Sequence, residues 1–169
     1  MFYILSDNRS IWVALVSTIL ITLAFLVIGS ILRLTFLDTI SDPSEVRLAL
    51  ASMPPNHRVF HVWITLTLDV LYPLSYGALF VGLTFRFYMS YGRLLAAPFF
   101  VLVPADLLEG VVQVLALTDM ADFIGAKAIL TPLKYGLVVY GVITITIGTV
   151  LCFFSHAGNS RKRNLDDSI

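Results

Sequence analysis

Four ionisable residues stand inside long apolar stretches of this sequence: Asp69, Asp106, Glu109 and Lys134. Asp106 and Glu109 are i and i+3, so a helix puts them on one face, which Gln113 extends. Asp69, Tyr72, Pro73 and Tyr76 likewise fall on one helical face, and Tyr135 adds a ring beside Lys134. These residue types support two kinds of chemistry. Carboxylates next to tyrosine rings can hold a cation. A protonated carboxyl near a lysine can serve as general acid and base, with Asp69 as base, Glu109 as acid and Lys134 as charge stabiliser. Insertion of an Asp or Lys at the centre of a membrane span costs about 2.5–3.5 kcal/mol. Four such groups left unpaired would cost on the order of 10 kcal/mol, so they are expected to face the bundle interior and meet one another. Two close carboxylates do not both ionise cheaply, so one of Asp106 and Glu109 is expected to carry a proton.

The histidines add little. His57 and His61 have the i, i+4 spacing that can chelate a metal on a helix, a weak candidate pair, and a hydrogen-bonded interfacial role is the plainer reading. The third, His156, is remote in sequence, and three histidines are too few for a histidine-rich di-iron site. No metal and no cofactor is expected. Nucleotide-binding loops, nucleophile elbows and zinc-protease motifs are absent. The one cysteine, Cys152, rules out an internal disulfide and reads as packing. A net charge of zero gives no reason to expect nucleic acid as a partner.

The elements that position these residues are membrane helices. Of 169 residues, 58% are hydrophobic and 13% charged, about half the charged share of a soluble domain. Mean hydropathy is +0.89. Four apolar runs, 11–32, 62–85, 94–118 and 128–154, are each long enough to cross a bilayer. They predict an all-α integral membrane protein, a four-helix bundle in one domain over 1–158, with a polar tail over 159–169. The first run is too long for a signal-peptide core and reads as an uncleaved span.

Loop charges set the expected orientation. Arg9, Arg86, Arg93, Arg161, Lys162 and Arg163 fall on one side. Arg33, Arg47, Arg58 and Lys127 fall on the other, among five acidic residues. The positive-inside rule then puts both termini in the cytoplasm. Residues 42–45, Asp-Pro-Ser-Glu, read as a helix start, and a short amphipathic helix over 44–52 is expected on the outer surface, ending at Pro54-Pro55. Counted along their helices, the four buried charges lie about 9–18 Å from the outer ends of their spans, in one layer. Arg33 could reach that layer by snorkelling. Pro73, Pro104 and Pro132 each free a carbonyl at membrane depth, that of Asp69 among them. The segment from Pro73 to Gly82 matches that from Pro132 to Gly141 at an offset of 59 residues. Duplication of a helical hairpin would explain it, as would a shared need for a kink and a small residue.

The pattern Asp69-x-x-Tyr72-Pro73-x-x-Tyr76, then Asp106-x-x-Glu109, then a lysine in the last span, resembles a group of small four-span bacterial membrane proteins of unknown function. The resemblance covers about residues 45–140. Gly110 stands where that group carries an asparagine. It implies a bacterial cytoplasmic (inner) membrane location and no particular reaction. In architecture alone the chain is similar to four-span sterol-isomerase-like proteins, which bind cationic or sterol ligands between helices; their motifs are absent here.

Three functions compete. The first is binding of a small lipophilic or cationic ligand, or a lipid head group, by Asp69, Tyr72, Tyr76, Asp106, Glu109, Gln113, Lys134 and Tyr135. The second is an acid/base isomerase or hydrolase acting on a lipid. The third is an assembly role, as a homo-oligomer or as a subunit of a membrane complex, with the charges as packing glue.

Overall fold

The computed structural model describes residues 4–32 and 36–166, with side chains as far as Phe154. Among the described residues six α-helices follow one another: α1 (Asn8–Leu32), α2 (Pro43–Ser52), α3 (Pro55–Tyr88), α4 (Gly92–Ala96), α5 (Phe99–Leu117) and α6 (Lys127–Asp166). Among the described residues, four stretches are long and apolar enough to span a membrane: Asn8–Leu32, Pro55–Tyr88, Gly92–Leu117 and Ile124–Phe154. The protein is thus an all-α membrane bundle. Arg33 lies outside the described residues.

The helices run past the apolar stretches that announce them. The 34 residues of α3 make a rod of about 51 Å, against a hydrocarbon core of about 30 Å. Its first turns, with His57 and Arg58, project beyond the apolar zone. The third span bends at Pro98, where Phe100 and Val101 donate their N–H groups three residues back, to Ala97 and Pro98. Helix α6 continues through most of the polar stretch after 158, to Asp166.

Helix α3 is the hub, packing against α1, α4, α5 and α6, while α5 also packs on α6. Helix α1 is peripheral, with only Ile11 and Ala14 buried. The bundle core holds Tyr76, Phe80, Val81, Ala96, Phe99 and Leu102. Gly141 lets α6 close on it, because a Cβ there would sit 2.7 Å from ring atoms of Phe80. The two copies of the repeated pattern land in unlike surroundings: Gly77 faces Val103, whereas Gly136 meets nothing within 4 Å.

The connection from α1 to α3 forms a cap over one end of the bundle. Asp42 caps α2 by accepting the Ser44 N–H at 2.7 Å, and Pro43 occupies the first turn, as the sequence predicts. Val46 and Leu50 of α2 are buried with Leu37, Ala116, Leu117 and Ile124. The amphipathic face of α2 is therefore spent on the bundle rather than on lipid. Arg47 donates to both oxygens of Asp122, at 3.1 and 3.3 Å. The Asp122 carboxyl is held below the ordinary carboxylate range by the Ile124 N–H and then by Arg47, so this tether persists in mild acid. Arg58 donates to Asp119 at 2.9 Å and to the Leu50 carbonyl at 2.8 Å.

Arg58 thus ties α2 to the start of α3 and to the end of α5. The exposed ion pair is worth roughly 0–1 kcal/mol, and the bond to the carbonyl adds more because its donor is charged. Arg58→Ala should speed amide exchange across 44–52 about tenfold, with the spans unaffected. Hydrogen-exchange mass spectrometry checks this; unchanged exchange would mean that apolar burial alone holds the cap.

Candidate functional site

Lys134 is the centre of the buried charge cluster. It sits about two turns beyond Lys127 on α6, and its ammonium meets three carboxylates: Asp38 at 2.8 Å, Asp106 at 3.1 Å and Glu109 at 2.7 Å. Each partner comes from a different place or turn. Asp106 and Glu109 share a face of α5, as their spacing requires. Asp38 arrives from the short 3-10 turn Leu37–Thr39, whose Leu37 is fully buried in the cap core. The oxygens of these three acids lie within 4.8 Å of one another, a spacing that could hold a metal ion. The Lys134 ammonium stands at their focus instead, as a cation fixed by the chain.

Glu109 is completely buried and is shared by two lysines. Its Oε1 accepts from Lys127 at 2.5 Å and from the Thr131 hydroxyl at 2.5 Å, while Oε2 faces Lys134. Lys127, at the N-terminus of α6, is also completely buried. A cation there opposes the helix dipole, so Glu109 is what makes the position tenable. Asp106 is held from its other side by Tyr76, whose hydroxyl donates to Oδ2. Tyr72 shares a hydrogen bond of 3.2 Å with Thr22 of α1. The Lys134 ammonium lies 5.5 Å from the centre of the Tyr135 ring.

The sequence-derived set divides here. Tyr76, Asp106, Glu109, Lys134 and Tyr135 come together. Asp69 has no cation within ion-pair distance among the described residues. It lines a separate groove of about 140 Å³ between α3 and α5, together with Thr65 and Gly110. Gln113 is buried and donates to Thr65 at 3.3 Å, and Thr65 lines the same groove as Asp69. His61 is buried with its ring edge against Phe36, and His57 lies a turn away; no third metal ligand joins them among the described residues.

Asp38, Lys127 and Thr131 are functional neighbours that spacing alone does not reveal. Asp38 and Lys127 look like loop charges. A signal exists for Asp38, which is bracketed by Phe36, Leu37 and Ile40, an apolar setting that an exposed loop acid does not need. Lys127 lies one turn before Thr131 and two before Lys134, on the same helix face.

A cleft of about 310 Å³ opens beside the cluster. Thr18 of α1 stands on one side, and Tyr135, Val138 and Val142 of α6 on the other. Asp38, Asp106 and Lys134 form its polar end, Tyr72 and Tyr76 its waist, and Leu79, Phe80 and the two valines its apolar end. The cap packs over one end of the bundle, and the cleft's lining runs from Thr18 of the first span to Val142 of the last. Across Asp38 and Tyr72 lies a second space of about 210 Å³, walled by Phe25 and Phe36. Compared with known protein families, curated proteins and solved structures, the chain matches none.

Proposed function

We propose that this membrane protein binds a small amphiphile, a lipophilic amine or a lipid head group with part of its chain, taken from the bilayer. The carrying observation is the two-ended cleft between α1 and α6, charged at Asp38, Asp106 and Lys134 and apolar at Leu79, Val138 and Val142. Ligand sites are concave, largely apolar and fixed by a few placed polar groups, and this cleft has that make-up. The acid/base reading has less support. Asp69 lines a different groove, and Glu109 is enclosed behind Lys134 with both oxygens engaged. The excess of positive loop charge at the opposite end supports a capped end that faces away from the cytoplasm, as in a bacterial inner membrane with both termini inside.

The test is native mass spectrometry of gently extracted protein beside Val138→Trp, which fills the apolar end, and Asp106→Asn, which weakens the polar end. The expected result is a defined extra mass on the wild type that is lost in both variants while they remain folded. A bare wild type, with Asp106→Asn unable to fold, would make the cluster packing glue and turn the search to partner subunits.

A further inference from the structure

Asp106 faces Lys134 with one oxygen and accepts from Tyr76 with the other, and Glu109 lies between two lysines, so these contacts suit two ionised carboxylates rather than the shared proton that their spacing alone suggests. With all three acids ionised, the charges of the cluster do not balance among the described residues. Three carboxylates, Asp38, Asp106 and Glu109, face two lysines, Lys127 and Lys134. The Lys134 ammonium is within ion-pair distance of all three and donates a hydrogen bond to Asp38. Glu109 is used on both oxygens, and Asp106 is used by Lys134 and Tyr76. Asp38 gives only Oδ2 to Lys134, and its Oδ1 has no partner among the described residues. Asp38 is also the member of the cluster that borders both the cleft and the space across from it.

The surroundings of Asp38 are aromatic. Phe25 meets Phe36 at 5.6 Å and Tyr72 at 5.7 Å between ring centres, and Tyr72 meets Tyr76 at 5.1 Å, all edge-on. Ring faces attract an ammonium, most of all where water is excluded, and a net negative charge inside a bilayer is costly until a cation answers it. An anionic head would meet a lysine already shared among three carboxylates and would face Asp38 and Asp106. The cleft, about 310 Å³ and only partly enclosed, has room for a compact head and the carbons next to it.

We infer that the cleft takes an amphiphile with an ammonium head, which serves as the third cation of the cluster against Asp38. This rests on the cleft being a ligand site, and it adds the sign of the head.

The test offers the wild type, in maltoside micelles, an equimolar mixture of dodecyltrimethylammonium, dodecyl sulfate and dodecanol, with bound mass read by native mass spectrometry. The expected result is one dodecyltrimethylammonium per chain and neither of the others. Binding should weaken about tenfold in Asp38→Asn and vanish in Val138→Trp, with helix content kept by circular dichroism in both. Dodecyl sulfate or dodecanol bound in its place, and lost in Val138→Trp, would overturn the cationic head and leave the amphiphile site standing. No adduct from any of the three would overturn both. Cation binding that appears only in Arg33→Gln would also overturn the inference, because the chain would then supply its own third cation.

Discussion

Glu109→Gln should lower the stability of the bundle by about 3–5 kcal/mol, the cost of leaving buried charge without its partner. Glu109 is fully enclosed, and it is the carboxylate that answers Lys127 and one of three that answer Lys134. Glutamine keeps the volume and a carbonyl acceptor for Thr131 but removes the negative charge. Lys127 then carries its charge in an enclosed site at the positive end of α6, where the helix dipole adds to the penalty. Unfolding in mixed micelles, followed by circular dichroism, measures the loss. Adding Lys127→Met to Glu109→Gln should recover part of it, since the orphaned cation is removed; the double-mutant cycle isolates that coupling. A Glu109→Gln protein as stable as the wild type would show that the pair contributes nothing net.

Lys134→Gln should be as damaging, again about 3–5 kcal/mol, but with a different signature. It leaves Asp38, Asp106 and Glu109 converging on a neutral amide. Asp38 belongs to the cap segment, so its release should propagate there: amide exchange over 37–53 should rise along with the global loss. Lys127→Gln should leave the cap closed, because Lys127 touches Glu109 and not Asp38. Equal exchange in the two lysine variants would refute the view that Lys134 anchors the cap.

The sequence makes the spans legible because apolar runs of about 20 residues in a chain so poor in charge have few other uses. It makes the facing of Asp106 and Glu109 legible because helix periodicity is strict, and the start of α2 legible because an Asp-Pro-Ser-Glu start is a local signal. Tertiary placement is less legible. Asp69 lies in an apolar run at the same depth as the others, yet the rotation of α3 turns it toward the α3–α5 groove, and depth carries no information about rotation. Asp38 and Lys127 fall outside the apolar runs and read as loop charges, but the cap folds one inward and α6 begins early enough to bury the other. The cleft itself depends on α1 packing chiefly on α3 and leaving α6 uncovered, a choice that the uniformly apolar surface of α1 does not encode.

The division of charges between neighbouring spans bears on how the chain enters its membrane. Helix α5 carries the two acids and α6 the two lysines, and residues 118–126 join them. Each span inserted alone would bring two uncompensated charges into lipid, at about 2.5–3.5 kcal/mol apiece near the centre. Inserted together as a hairpin, they neutralise each other through Glu109 before either meets the hydrocarbon. The last two spans are therefore expected to insert as one unit, so that a nascent chain ending before Lys134 should leave α5 extractable from the membrane, and one extending beyond it should not.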